Sequence, residues 1–259
     1  MDRLDRASAD FVQSLDRGLA VIRAFGPGRS RLTLSEIARA TGLTPATARR
    51  FILTLQRLGY IASDQRHFTL KPKLLELGYA YLASLSWWRH AQTVAERIGG
   101  QAGLPCAVGV LDGDAAVFVA YTSATGLPLF GRGIGTRLPA YAAAVGRVLL
   151  TGLSRPELDL YFATYPRPAL TPHTVTDEMQ IRAALQEVSE LGYSYSNQDL
   201  EIGLASLAVA IRDRDSAVVA GLSISVGSTS MSGSEAVARY RVTLDRGAAE
   251  IAESFTGRT

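Results

Sequence analysis

Cysteine is nearly absent from this sequence of 259 residues, in which Cys106 stands alone. A single cysteine forms no internal disulfide and cannot supply the cysteine set of a structural zinc module. Long apolar runs are also missing, since no stretch approaches the ~18 residues that a membrane helix needs. The first residues alternate in charge and lack the apolar segment of a secretory signal. These absences predict a soluble, cytoplasmic protein that has no membrane partner.

Residue patterns that carry catalytic or metal-binding chemistry are scarce. The three histidines have no metal-ligand spacing to one another: His67, His90 and His173. The Gly-x-Ser-x-Gly motif of a hydrolase nucleophile does not occur. The run Gly131-Arg132-Gly133-Ile134-Gly135 misplaces the third glycine of the GxGxxG dinucleotide motif. The sequence therefore predicts no catalytic residue, no metal and no cofactor.

Charge is unevenly divided along the chain. Residues 1–75 hold 13 Lys and Arg against 6 Asp and Glu, whereas residues 76–259 hold 14 against 18. Such an asymmetry is typical of a nucleic-acid-binding segment joined to a segment that does not bind nucleic acid. The length and the 47% hydrophobic content suffice for two domains, each with its own core.

Three helices are indicated in the basic segment. The first, Ser14–Phe25, has an apolar stripe made of Leu15, Leu19, Ile22 and Phe25. A second helix opens at Thr33-Leu34-Ser35-Glu36, which has the form of a capping box, and closes at Thr41-Gly42. A third begins at Thr44-Pro45, a suitable N-cap followed by a proline in the first turn, and stops at Gly59. Two short helices joined by a tight glycine-containing turn predict a helix-turn-helix.

The third helix has one apolar and one polar face. Its apolar residues recur at helical spacing and are expected to form a continuous buried face: Ala48, Phe51, Ile52, Leu55 and Leu58. Small residues and arginines project from its first turns, the part of such a helix that enters a major groove. Tyr60–Ala62 and His67–Leu70 are expected to pair as a wing. The predicted DNA contacts are Ser35, Thr44, Pro45, Ala46, Thr47, Arg49, Arg50 and Arg66. The alternative, a three-helix domain that binds protein, is disfavoured by the local positive charge.

Several of these segments resemble the IclR family of transcriptional regulators. They are Ser14–Leu19, Leu34–Ala38, Thr44–Arg50, Leu55–Tyr60 and Phe68–Pro72. The resemblance implies a winged helix-turn-helix over residues 10–72, a linker helix over residues 73–86 and an effector-binding domain over residues 87–256. It also implies that the first helix and the linker helix form a homodimer, or a dimer of dimers.

The second half of the chain reads as α+β. Expected strands are Ala107–Leu111, Ala115–Tyr121, Leu204–Ile211 and Val218–Val226. Expected helices are Trp88–Gly99, Ala142–Leu150, Ser154–Thr164, Thr176–Gly192 and Glu235–Ser254. Strands in consecutive hairpins with segregated helices predict an antiparallel sheet.

Two further segments, Leu138–Leu150 and Asn197–Val209, resemble the effector loop and the second signature of the IclR family. In that family they line a pocket on a GAF-like sheet. This chain departs from the family at Tyr141, where histidine is common, and at Ala205, where arginine is common.

The same residues allow a physical interpretation of the pocket. Backbone N–H groups at the start of the Ala142 helix would seat a carboxylate, while apolar side chains would form walls and serine hydroxyls would point from the strands. The predicted effector contacts are Leu127, Phe130, Tyr141, Ala143, Ala144, Val145, Asp199, Ser206, Ser223 and Ser225. For each of them, structural packing is the alternative role.

These observations together predict a ligand-responsive transcriptional regulator that binds a double-stranded DNA operator and a small organic acid. The segments Ser14–Leu19 and Gln198–Leu204 resemble those of family members that control aromatic-acid breakdown through the β-ketoadipate route. That resemblance implies protocatechuate, 4-hydroxybenzoate or β-ketoadipate as effector. Three alternatives stay open: another small carboxylate, a DNA-binding protein without ligand, and an enzyme built on the second domain. Repression and activation are equally compatible with the sequence.

Overall fold

A computed structural model describes residues 10–123 and 132–255. The chain divides into two compact units, residues 1–81 and 82–259. Within the two described ranges, no helix is both long and apolar enough to cross a membrane.

The described part of the first unit begins with three helices and a three-stranded sheet. Its elements are α1 (Gln13–Arg23), β1 (Leu32–Thr33), α2 (Leu34–Thr41), α3 (Pro45–Arg57), β2 (Ile61–Asp64) and β3 (His67–Leu70). A 3₁₀ turn, Pro72–Leu74, then leads into α4 (Leu75–Ser84). The strands are antiparallel in the order β1-β3-β2. This fold is the predicted winged helix-turn-helix with a helix after the wing.

The apolar stripe of α1 is only partly buried. Phe25 lies in the core, but Leu15 and Leu19 are 63% and 40% exposed. Val21 is fully buried instead, because Val21, Ala24 and Phe25 follow one another at i, i+3 and i+4 and so share the inward face. The outer part of the stripe therefore lies on the surface of the single chain.

The capping box at the start of α2 is present as the sequence predicts. The Thr33 backbone N–H and the Thr33 hydroxyl each donate to the Glu36 carboxylate at 2.8 Å. The Glu36 N–H donates back to the Thr33 hydroxyl at 3.3 Å. Because the charged carboxylate accepts these bonds, the backbone bond first, the pKa of Glu36 lies below its ordinary value of 4.5. The capping box thus starts α2 at Leu34.

This depressed pKa gives a testable expectation for pH. A carboxyl with a lowered folded-state pKa adds stability above its ordinary pKa, and that stability is lost as pH falls through the folded value. An NMR titration should therefore place Glu36 below 4.5. Thr33→Val should raise the Glu36 value toward 4.5 while leaving Glu157, held in its own box by Ser154, unchanged. Titration of Glu36 at its ordinary value in the native protein would contradict the observed hydrogen bonding.

One residue of the predicted buried face of α3 is misplaced. Ala48, Ile52 and Leu55 are buried, but Leu58 is 53% exposed. The helix ends at Arg57, and Gly59 then turns the chain with a φ of +84°. Leu58 is the C-cap of the helix: its N–H still donates to the Thr54 carbonyl at 2.9 Å, but its side chain lies at the surface.

The wing is a tight hairpin between β2 and β3. Asp64 pairs with His67, and the two-residue turn between them places Gln65 at a φ of +44°. The two-residue strand β1 also pairs with β3, with Leu32 opposite Phe68. The sequence analysis did not identify β1, since two residues carry no periodicity.

The second unit is a six-stranded antiparallel sheet with helices on both faces. Its first elements are α5 (Trp88–Ala102), β4 (Cys106–Asp112), β5 (Ala115–Thr122), β6 (Arg137–Pro139) and α6 (Ala144–Leu150). Its later elements are α7 (Arg155–Thr164), α8 (Glu178–Leu191), β7 (Tyr193–Asn197), β8 (Leu204–Arg212), β9 (Val218–Gly227) and α9 (Gly233–Glu253). The strand order is β6-β5-β4-β9-β8-β7. The predicted α+β class with an antiparallel sheet is confirmed.

The two faces of this sheet carry different residues. Large aliphatic side chains such as Leu207, Leu222 and Ile224 form the core beneath α5 and α9. Small residues face α6, and a Cβ at Gly221 would come within 2.8 Å of a Val145 methyl group. The absence of a side chain at Gly221 lets α6 approach the strands closely.

Several predicted bounds shift by a few residues. The helix expected from Ala142 begins at Ala144, and the helix expected from Thr176 begins at Glu178. In the second case the cap is Asp177, whose carboxylate accepts the Gln180 N–H at 2.9 Å. Strands β6 and β7 were not predicted.

Candidate functional site

The first turns of α3 are presented to solvent. Ala46, Arg49 and Arg50 are exposed, whereas Ala48 between them is completely buried. Thr44 and Pro45, at the N-cap and the first helical position, are exposed as well. The apolar face of α3 therefore anchors the helix in the core, and its leading end remains accessible.

Hydrogen bonds fix this leading end. The Thr44 hydroxyl accepts the Thr47 N–H at 3.3 Å and donates to the Thr47 hydroxyl at 2.9 Å. Thr47 is half-buried. The two threonines thus have a capping role in addition to their predicted contact with DNA.

Two acidic side chains of this unit form ion pairs with arginines other than Arg49 and Arg50. Asp16 lies 3.6 Å from Arg23, and Asp64 forms an ion pair with Arg31. Among the residues that the structure describes, no ion pair involves Arg49 or Arg50. Both guanidinium groups are therefore available to a polyanion.

The other predicted DNA contacts are also accessible, and one nearby cation has partners within the protein. Ser35 lies exposed in the first turn of α2, and Arg66 lies exposed in the turn of the wing. Lys73, by contrast, donates to the Leu58 carbonyl at 3.1 Å and lies 5.2 Å from the centre of the Tyr60 ring. Its charge is used to close the end of α3.

Three serines lie side by side across the second unit's sheet. Ser206 on β8 pairs with Ser225 on β9 and with Ser196 on β7. The Ser206 and Ser225 hydroxyl oxygens are 3.1 Å apart. We call Ser196, Ser206 and Ser225 the serine row; it places two predicted residues in contact and adds one that the sequence analysis missed.

A second set of small residues runs beside the serine row. Ser223 pairs with Ala208 on one side and Ala107 on the other, and Ala208 pairs with Ser194. The Ser223 hydroxyl donates to the Ala107 carbonyl at 3.4 Å. The Ser194 hydroxyl is buried and finds no partner within the described ranges. The alternation in Tyr193-Ser194-Tyr195-Ser196 was the available sign of strand β7 and of these two serines.

Helix α6 packs over these small residues. Ala143, Ala144 and Val145 are buried in one cluster with Ala107 and Ala208. No side chain caps α6, whose N-cap is Ala143. The N–H groups of Ala142 and Ala143 donate to the Pro139 carbonyl at 3.2 and 3.0 Å. The uncapped N–H groups therefore begin at Ala144 and not at Ala142 as expected.

Tyr141 does not join this arrangement. Its hydroxyl donates to the Pro168 carbonyl, and its ring packs with Tyr161, Phe162 and Ile181 in a separate cluster. Burial raises the pKa of the Tyr141 phenol. In this arrangement the polar atom of Tyr141 is engaged beneath α7 and α8. Contact of Tyr141 with an effector stays a prediction.

Asp199 has protein partners on both oxygens. One accepts the Asn197 N–H at 3.0 Å, and the other accepts a hydrogen bond from Arg147. Asp199 is a predicted effector contact with structural packing as the alternative role, whereas no prediction concerned Arg147. The predicted wall residues Leu127 and Phe130 lie outside the described residues.

The second unit contains the single cysteine of the sequence, Cys106. Burial raises the pKa of the Cys106 thiol to about 12, so this thiol stays protonated and is a poor nucleophile at neutral pH. Within the part of the chain that the structure describes, no three His, Cys, Asp or Glu side chains gather to hold a metal ion.

Comparison with known proteins agrees with the two-part architecture. Residues 14–65 match the model of the IclR helix-turn-helix domain, and residues 79–253 match the model of the bacterial transcriptional regulator IclR C-terminal domain. The expectation that the chain is not an enzyme agrees with these models, which describe regulators.

Individual relatives match over most of their length. The Pca regulon regulatory protein of Pseudomonas putida is 38% identical over 83% of this chain and 75% of its own. A protein described as a transcriptional regulator from Rhodococcus sp. RHA1 has 43% identity and a TM-score of 0.83, covering 94% of this chain and 98% of its own. An IclR homologue from Microbacterium hydrocarbonoxydans, complexed with 4-hydroxybenzoate, has 23% identity and a TM-score of 0.80. The match covers 93% of this chain and 98% of that homologue. The chain belongs to the IclR family of bacterial transcriptional regulators.

Proposed function

We propose that this regulator senses a small aromatic hydroxy acid and controls an operon for its breakdown. The observation that carries the proposal is the serine row lying on the sheet face that α6 covers, with the start of α6 left uncapped. A carboxylate and a phenol hydroxyl are the two polar ends of such an acid. Backbone N–H groups from Ala144 onward suit the carboxylate, and serine hydroxyls suit either end.

The small residues of this face support an aromatic ring as the apolar middle of the ligand. Ala143, Ala144, Val145 and Ala208 offer flat apolar contact. Most ligand pockets combine such walls with a few fixed polar groups. The Pca regulon relative and the 4-hydroxybenzoate complex of the solved homologue support the same ligand class. Ser223 and Asp199 complete the proposed site. Ser223 lies beside the serine row, and Asp199 belongs to the site through its ion pair with Arg147.

The proposed DNA contacts are the eight predicted residues of α2, α3 and the wing. Arg49 and Arg50 supply charge and base-edge contacts, while Ala46 permits close approach in the major groove. A regulator of this kind reads two half-sites about one DNA turn apart, which calls for a dimer or a dimer of dimers. The exposed Leu15 and Leu19 of α1, and α4, which buries none of its residues, are the proposed dimer surfaces.

An effector changes DNA affinity only if it binds one arrangement of the dimer better than another. We assign that coupling to α4, which lies between the two domains in sequence. Effector affinity and DNA affinity are then linked reciprocally, so that operator DNA changes the affinity for the acid by the same factor.

The effector site is tested by replacing the paired hydroxyls. Ser206→Ala with Ser225→Ala should weaken binding of 4-hydroxybenzoate or protocatechuate in isothermal titration about tenfold for each lost hydrogen bond. Ser230→Ala, an exposed serine of the same unit, is the matched control and should bind as the native protein does. Operator affinity without the acid should be unchanged. Equal acid affinity in the double variant and in the control would reject the proposed site.

A further inference from the structure

A charged pair is buried inside the second unit. The Arg147 and Asp199 side chains are only 9% and 7% exposed, and their charged groups are in direct contact. Arg147 lies in the middle of α6, and Asp199 follows strand β7. Withdrawing two charges from water is costly, and apolar residues of similar volume often stabilise a fold at least as well. The presence of this pair is therefore better explained by the segments that it holds in position than by a contribution to stability.

The guanidinium of Arg147 joins the two halves of the proposed effector site. Its Nε donates to the Tyr141 carbonyl at 2.8 Å, two residues before the N-cap of α6. Another of its nitrogens donates to Asp199, whose second oxygen accepts the Asn197 N–H at 3.0 Å. Asn197 is the neighbour of Ser196, the end of the serine row. One rigid group therefore fixes both the approach to α6 and the edge strand that carries Ser196.

Two threonines hold the same loop from the other side. The Thr171 hydroxyl donates to the Gln198 carbonyl at 2.7 Å, and the Thr174 hydroxyl donates to the Asp199 carbonyl at 2.6 Å. Gln198 itself has a φ of +65°, an uncommon conformation for a residue with a side chain. The loop after β7 is thus held in a single strained form by bonds from several segments.

We propose that Arg147 is a positioning residue, which through Asp199 sets the spacing between the start of α6 and the serine row, and thereby the affinity for the effector. The inference rests on the proposed function, since it concerns the same acid-binding site. Arg147 itself does not touch the acid. The planar guanidinium of Arg147 directs one hydrogen bond to the Tyr141 carbonyl and another to Asp199. A lysine ammonium cannot reproduce this geometry.

The test replaces the charges while preserving volume and one acceptor. In Arg147→Met with Asp199→Asn, no unpaired charge is left, and the amide oxygen still accepts the Asn197 N–H. Arg147→Lys keeps the positive charge but loses the planar guanidinium that makes the two hydrogen bonds. The matched control is Arg241→Met with Asp245→Asn, which removes a more exposed ion pair on α9.

For the double variant we expect a rise in the dissociation constant of 4-hydroxybenzoate or protocatechuate of about tenfold or more. Arg147→Lys should fall between this variant and the native protein. Melting temperature and acid-free operator affinity should match those of the control pair. Unchanged acid affinity in the double variant would overturn the proposal, as would a loss that merely follows the melting temperature.

Hydrogen exchange in the unliganded protein gives a second readout that needs no acid. In Arg147→Met with Asp199→Asn, backbone amide exchange should be faster than in the native protein at residues 139–147 and 197–204. In the second range the Gln198 N–H donates to the Leu204 carbonyl at 2.7 Å. Strands β4 and β9 should be unaffected. Acceleration everywhere, or nowhere, would overturn the positioning role. If the native protein binds neither acid, the proposed effector class fails, and the exchange pattern decides the role of Arg147 by itself.

Discussion

Replacing Arg49 and Arg50 together with alanine is expected to weaken operator binding about 100-fold or more. Each guanidinium contact to a base edge is worth about 1–3 kcal/mol, and every 1.4 kcal/mol is about tenfold. Both side chains are exposed on the leading end of α3, and neither is held by an ion pair within the described residues. Because Ala48 and Ile52 hold the helix from its other face, the fold should be unaffected.

Mobility shift against a genomic operator fragment at several salt concentrations measures this expectation. Arg246→Ala, an exposed helical arginine of the second unit, is the matched control. The salt dependence should fall by about one ion for each arginine that contacts phosphate, and sequence preference should relax where one contacts a base. Native affinity in the double variant, at every salt concentration, would contradict the assignment of α3 as the recognition helix.

Gly146→Ala is expected to destabilise the second unit by about 3 kcal/mol, the upper part of the usual range for overpacking. A Cβ at this position would lie 2.3 Å from the Ala140 Cα and 2.4 Å from the Ala140 carbonyl oxygen. These are backbone atoms, so no side-chain rotation relieves the clash. Helix α6 would have to move away from the segment that leads into it, and acid binding should be lost as well.

Gly100→Ala is the matched control and should act in the opposite direction. Gly100 is exposed within α5, and a Cβ there meets nothing within 4 Å. Alanine in an open helical position is favoured over glycine by about 1 kcal/mol. Denaturation followed by Trp87 fluorescence reports on this unit, since Trp87 is buried against Phe255. A destabilisation of similar size in both variants would refute the steric explanation.

The sequence was most informative where local chemistry alone determines structure. The capping box at Thr33, the N-cap at Thr44 and the stop at Gly59 are decided within a few residues, so the helix-turn-helix could be predicted closely. Leu58 lies at helical spacing but is exposed, because periodicity does not tell which residues of the last turn a neighbouring segment covers. The short strand β1 was not predicted, because Leu32 pairs with Phe68, which is remote in sequence.

The proposed effector site consists of contacts between distant segments, and fewer of its residues could be predicted. Ser206 and Ser225 meet because β8 and β9 are a hairpin, which the sequence indicates. Ser196 joins them only through the pairing of β7, and Arg147 meets Asp199 across 52 residues. The position of Tyr141 in a family motif does not reveal the direction of its side chain, which in the structure packs with Tyr161 and Phe162.

The most direct test of the central claim places a cleavage reagent on α3. Cys106 is buried with its pKa raised to about 12, so Ala46→Cys introduces an exposed thiol that can be labelled selectively with an iron chelate. We expect cleavage of bound operator DNA at two clusters about one helical turn apart. The same label on a protein that also carries Arg49→Ala and Arg50→Ala should not cleave. Uniform or absent cleavage by the labelled protein, with operator binding retained, would show that α3 does not enter the DNA.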